Sequence, residues 1–405
     1  MAKPSKPRNN IVELFRFIYS LLVLGYHIQF SYKDEKVDPF ENGALAVEFY
    51  FLLSGYFLAR SLEKISKDTQ TNYFLKIYYF MKNKITALLN VHILSIVATI
   101  IVYACCDKKK FWDIFLPGIP SIFLVHMIMV WNDSYEDALL IPEWYLSAMI
   151  ICMLFMVAFF LLTSKWVKTI YSTLILLGIL VVIVVVAGFS TKWKLSQNII
   201  YDIRAWGEMI VGMFSFYLSV YVKNKQYEGC FINFFKFFEI FTYVVPVILG
   251  IAPINSKNEA YLMVVTVVCV FCAVFITFAE KGNVIKNEKV NSAFGYLGAI
   301  SLPIYLFHPV LITLINYTNK DMKKWLKFII VFPVTIILAF LYRFIADYLN
   351  KIIEKKSKEK KKEKEEKKPE VIEGINIKEN NQKENESIEI NDPKDEHLQP
   401  EQINS

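Results

Sequence analysis

The sequence predicts an all-α integral membrane protein of about ten transmembrane helices, and three observations predict it. Long apolar runs recur from residue 11 to about residue 350, a length per run that suits the ~30 Å hydrocarbon core of a bilayer. The chain is 55% hydrophobic with only 14 glycines and 14 prolines in 405 residues, too few to break those runs into turns and short strands. The runs also lack the polar residue at every second or fourth position that would give a soluble element its wet face.

The elements follow in order. The N-terminus, MAKPSKPRNN, is basic, but the apolar run behind it holds Arg16 and His27 and no small-residue cleavage site follows. It is therefore expected to stay as a first helix and not to be removed as a signal peptide. Spans are expected at 11–31, 43–60, 85–104, 143–163, 169–189, 204–222, 237–254, 259–279, 296–316 and 326–349. An eleventh apolar segment, 113–130, is broken by Pro117, Gly118 and Pro120. If it does not cross, Lys and Arg are almost twice as frequent on the N-terminal side as on the other; if it crosses, the asymmetry disappears. Positive charge concentrates on the cytoplasmic side, so 113–130 is expected to be re-entrant or interfacial on the outer side, with both termini cytoplasmic. Irregular backbone at that depth must be buried in protein or line a cavity.

From residue 351 the composition changes. KIIEKKSKEKKKEKEEKK (351–368) holds ten lysines and five glutamates, and 369–405 holds three lysines against ten acids. Such a segment has no core to bury and is expected to be a disordered cytoplasmic tail. Its basic block, next to the last helix, would meet anionic lipid headgroups. The net charge of +7 thus gives no reason to expect nucleic acid. The domain plan is a basic N-terminus 1–10, a membrane domain 11–350 and a charged tail 351–405. The six cysteines, among them the pairs Cys105–Cys106 and Cys269–Cys272, form no framework and read as packing residues; no metal site is expected.

Charge inside the spans carries the chemistry. Arg16 and His27 are eleven residues apart, about 1100° of helix, so they fall ~20° from one another on one face and ~16 Å apart along the axis. Glu13, one turn before Arg16, is in reach of it. An intramembrane ionisable residue faces the bundle interior or a cavity and marks a site; the blander reading is an arginine that snorkels and a satisfied interior histidine. Glu48 lies inside the second span, ahead of the close-packing pair Ser54-Gly55. His308 precedes Pro309 in mid-span, where the proline frees a carbonyl. His92 and His126 show no local partners and are left as interior residues. The stretch YFLKIYYFMKNK (73–84) between spans two and three suits headgroups or a phosphate-bearing cytosolic ligand. There is no P-loop, nucleotide-binding glycine fingerprint, GxSxG or HExxH.

In sequence order, Glu-x-x-Arg, ten residues, His; then VEFYFLLSG; then a basic stretch; then YLFHP near the end. This order, on ten spans, resembles the membrane-bound acyltransferase-3 family over residues 8–349. The resemblance implies transfer of an acyl group, acetyl by default, from cytosolic acyl-CoA to a hydroxyl of a surface polysaccharide, peptidoglycan, antibiotic or lipid, with no bound cofactor. It implies catalytic roles for Arg16, His27 and Glu48, donor contacts at Lys82, Lys84 and Arg60, and supporting roles for Glu13, His308, Tyr305 and Trp144. On that basis Arg16 would hold or polarise the donor, and His27 would be the base or a transient acyl carrier.

The chain departs from the family pattern in places. Glu48 stands for an aspartate and Ala46 for a glycine, and lysines replace the arginines of the basic stretch. Many members read Trp-x-Leu-x-x-Glu at the fourth span. Here Trp144 and Leu146 match but Ala148 and Met149 stand where the acid would be, so Glu143 or Glu48 would have to take over its role. No soluble esterase-like domain is expected. The competing readings are a glycolipid or polysaccharide transporter using the same polar interior, and a scaffold binding partners through its tail. Residue usage rich in Lys, Asn and Ile points to an A+T-rich bacterial genome, and the expected location is the plasma membrane.

Overall fold

A computed structural model of the chain describes residues 10–30, 39–68, 71–106, 111–125, 139–164, 168–189, 197–225, 229–252, 259–279, 287–319 and 321–366. Among these, eleven α-helices account for nearly all of the structure: α1 (Asn10–Phe30), α2 (Ala46–Ser66), α3 (Tyr73–Cys106), α4 (Phe111–Ile122), α5 (Trp144–Thr163), α6 (Thr169–Phe189), α7 (Gln197–Lys225), α8 (Gly229–Ile251), α9 (Glu259–Ala279), α10 (Glu288–Thr318) and α11 (Lys324–Glu366). The ten expected spans correspond one to one with ten of them. Eight are long and apolar enough to cross a membrane by length and composition; α6 and α8 contribute shorter apolar stretches, Thr169–Val181 and Phe237–Ile251. In α8 the apolar run is cut short because Lys236 and Glu239 fall in its first half.

Which helices run together follows from their contacts. Glu13 of α1 lies over Gly298 of α10, Leu24 and Ile28 pack with Ile300 and Ile304, and His27 stacks on His308. The two helices therefore run parallel. So do α3 and α10, through Ile96 and Val102 against Val310 and Tyr103 against Tyr317. With ten helices crossing and α4 excluded, α1, α3 and α10 are all odd-numbered crossings and must run the same way. If α4 crossed, α10 would oppose α1. The expectation that 113–130 does not cross is met in its described part, α4. At 12 residues this helix is about 18 Å long, too short for the bilayer, and it packs back against the middle of α3: the Ser121 carbonyl meets His92. Residues 126–138, with His126, lie outside the described residues.

Two boundaries differ from expectation. The basic stretch 73–84 is the first three turns of α3 and no loop, because its aromatic and lysine side chains form a helix with both apolar and cationic surface: Phe80 and Met81 are buried while Phe74, Tyr78 and Tyr79 are exposed. At the other end α11 continues to Glu366, past the boundary expected at 350, since lysine and glutamate are good helix formers and pair at i, i+4. Residues 344–366 form a second compact unit by themselves, and 367–405 lie outside the described residues.

Small residues set the tightest crossing, as expected where apolar burial gives helices no net drive to associate. A Cβ on Gly55 of α2 would strike the Met209 carbonyl of α7, and one on Gly212 of α7 would strike the Leu52 carbonyl of α2. The main core wraps this crossing with Phe49, Phe51, Leu52 and Leu58 of α2, Met153, Met156 and Phe160 of α5, and Met209 and Met213 of α7.

A candidate active site between two histidines and an arginine

Arg16 lies about two turns into α1, where its Nη1 donates to Glu13 Oε2 at 3.0 Å. The pair is local, so Arg16 is neutralised within its own helix while its side chain stays 31% exposed. The Tyr50 hydroxyl of α2 donates to the Arg16 carbonyl at 2.6 Å, which ties the two helices at this level. From Tyr50 a line of rings leads along the bundle. Tyr50 lies 5.9 Å from Tyr145, Tyr145 5.8 Å from Tyr305, Tyr305 6.0 Å from His308, and His308 is stacked 5.1 Å from His27. Four helices, α2, α5, α10 and α1, thus supply one continuous wall between Arg16 and His27. Both of its ends are half-buried; Tyr145, Tyr305 and His308 are buried.

His308 is held on three sides. Its Nδ1 is 3.1 Å from the Ile304 carbonyl; a carbonyl only accepts, so this nitrogen carries the proton. Its face lies on His27 and its edge meets Tyr305. Tyr305 is anchored in turn, its hydroxyl donating to the Pro142 carbonyl in the turn before α5.

Glu48, expected to be catalytic, is fully buried and ion-paired to Arg204 of α7. Arg204 also donates through Nε to Glu208 Oε1 at 3.2 Å and sits 5.9 Å from the ring centroid of Trp144, which stacks on Tyr201 at 4.5 Å. One guanidinium therefore serves two carboxylates and an aromatic face, and Glu48 is engaged by it. Where the family pattern has a glutamate, Met149 presents its sulfur to the hydroxyls of Ser54 at 3.3 Å and Tyr145 at 3.4 Å. Glu208 on α7 is adjacent in sequence to Met209, the residue that crosses Gly55.

The expected donor lysines separate. Lys82 is exposed and Lys84 half-buried, on different faces of α3, over Tyr78 and Phe80 respectively, and Arg60 is exposed at the far end of α2 from Glu48. The buried cation of this stretch is Lys76, whose ammonium donates to the Asp68 carbonyl just beyond the end of α2.

Sequence reasoning missed Arg204, Glu208, Tyr50 and Tyr145. The first two had a signal, an Arg and a Glu four residues apart in an apolar stretch, but the expected span began at 204. It also left His92 without partners, whereas His92 Nε2 lies 2.9 Å from the Ser121 carbonyl and 3.9 Å from Glu143, both side chains fully buried. Among the described residues no three His, Cys, Asp or Glu side chains gather to hold a metal.

Neither curated proteins nor solved structures give a match to this chain. The family model described as an acyltransferase domain matches residues 9–344, the whole set of helices that builds the wall from Arg16 to His27. The chain is a multi-pass membrane acyltransferase and belongs to the acyltransferase-3 family.

Proposed function

We propose that this acyltransferase moves an acyl group, acetyl by default, from cytosolic acyl-CoA to a hydroxyl of a cell-surface glycan or glycolipid. The single observation that carries the reading is the wall itself. It joins the half-buried Arg16 to the half-buried His27, which is backed by the buried His308, with polar tips and apolar ring faces between. With the N-terminus cytoplasmic, as charge counting favours, Arg16 is at the donor's end and His27 at the acceptor's end. Arg16 binds the donor's polar end or polarises its carbonyl, and Glu13 keeps the guanidinium oriented. His27 draws the proton from the acceptor hydroxyl or carries the acyl group in passing. A neutral imidazole offers the lone pair that the base role needs.

Lys82, Lys84 and Arg60 meet the phosphates of the donor by charge. Tyr305 and Trp144 support the site through Pro142 and Arg204. Glu48 supports it through the α2–α7 ion pair and is no proton donor in this reading. The lysines of 351–368 hold anionic headgroups.

The test is transfer itself. Purified protein in lipid vesicles, incubated with acyl-labelled acetyl-CoA and de-O-acylated envelope glycan, is expected to leave base-labile label on the glycan and release CoA. His27→Ala, at equal protein level, is expected to lose on the order of a hundredfold or more of this. Release of CoA by His27→Ala at the wild-type rate would contradict the assignment. Transport of glycan with no CoA released would support the transporter reading in its place.

A further inference from the structure

His308 is the buried group that the reaction, as proposed, does not use. Its Nδ1 carries the proton, because it faces the Ile304 carbonyl at 3.1 Å. In the neutral ring the lone pair is then on Nε2. That nitrogen is buried and has no hydrogen-bond partner among the described residues, and His308 as a whole is 0% exposed. A buried acceptor left without a donor is unfavourable, because it has given up its bond to water and gained none. Moreover, the ring is fixed by the stack on His27 and the edge contact with Tyr305, so it cannot turn to satisfy itself. The lone pair is directed and waiting for a donor.

The donor has to arrive with the acceptor, because the neighbouring ring, 5.1 Å away and half-buried, is His27. The reacting hydroxyl has one proton, and that proton goes to His27. A hydrogen bond to His308 therefore needs a second hydroxyl, next to the first. We propose that His308 Nε2 accepts a hydrogen bond from the hydroxyl neighbouring the one that is acylated, so that the enzyme selects a vicinal diol, as on a sugar ring, over an isolated hydroxyl. No proton moves to His308: the O–C bond forms at the reacting hydroxyl, the C–S bond of the thioester breaks, and the proton passes through His27 to the leaving thiol. His308 is an acceptor-binding residue that sets specificity. The inference rests on the acyltransferase reading above. A site built to hydrogen-bond a substrate hydroxyl discriminates against an analogue lacking it far more strongly than an apolar pocket does, because the site's own polar atom is left unpaired.

Periodate gives the test without knowing the glycan. It cleaves vicinal diols, and borohydride then reduces the products to isolated hydroxyls. Full-length protein in vesicles receives labelled acetyl-CoA with either untreated or periodate–borohydride-treated de-O-acylated envelope glycan. The wild type is expected to acylate the untreated glycan on the order of a hundredfold faster. His308→Phe, which keeps a ring against His27 but has no nitrogen, is expected to lose most of that preference while its KM for acetyl-CoA stays within about threefold. His308→Gln, which can place an amide oxygen near the position of Nε2, is expected to recover part of the preference. Equal transfer to both glycans by the wild type would overturn the inference, and so would an unchanged preference in His308→Phe. If the wild type instead labels neither glycan and releases no CoA, the acyltransferase reading falls, and the inference with it. These outcomes are distinct: the first two leave His27-dependent transfer intact.

Discussion

Arg204 shows what one residue must do in a bilayer. Its guanidinium holds Glu48 and Glu208 at once and covers Trp144, so it balances the charge of a cluster drawn from α2 and α7. Removing one partner of a buried ion group leaves charge uncompensated, whereas removing the whole group can be nearly neutral. Arg204→Met is accordingly expected to cost about 3–5 kcal/mol, read as a lower midpoint in denaturant unfolding of the protein in detergent. Adding Glu48→Gln and Glu208→Gln is expected to recover most of that loss. Equal midpoints for wild type and Arg204→Met would show that the cluster is not what holds these groups. At this scale legibility followed cost. Arg16, His27 and His308 could be found because each stands alone in an apolar run. Arg204 sat at the edge of one and was passed over, and the Tyr50–Tyr145–Tyr305 wall was invisible because it joins three helices far apart in sequence.

Among the elements, the crossing of α2 and α7 is the closest, and it depends on Gly55 and Gly212 meeting opposite carbonyls. The same crossing carries Glu48 to Arg204, so packing and site share one contact. Gly55→Leu is expected to force the helices apart and leave little monodisperse protein on size-exclusion chromatography in detergent, with Gly55→Ala intermediate. A wild-type profile for Gly55→Leu would contradict the close crossing. The Ser54-Gly55 pair made this contact legible as a small-residue site, but its partner helix was not, since nothing in the sequence pairs residue 55 with residue 209. Helix centres could be read from apolar length and helix ends could not. α3 starts about three turns before its expected span and α11 runs on to Glu366, because aromatic and lysine side chains serve a helix at a membrane surface as well as they serve a loop.

For the whole molecule, the count of crossings decides how the site is assembled. His27 can meet His308 on a parallel helix only if α4 stays on one side, and charge asymmetry in the loops pointed to that arrangement before any contact was known. The fold class, the family and the non-crossing segment were legible because lipid punishes charge and exposed backbone throughout the chain. The acceptor was not, since in the proposed reading it is chosen by the hydrogen-bonding atoms of a few side chains brought together from α1 and α10. The central claim is that His27 transfers an acyl group to a hydroxyl of the cell envelope. The most direct measurement is mass spectrometry of envelope glycans from cells carrying either the wild-type protein or His27→Ala at the same membrane level. The expected result is an O-acyl mass increment on the glycan, present with the wild type and absent with His27→Ala. The same O-acyl pattern in both would contradict the account.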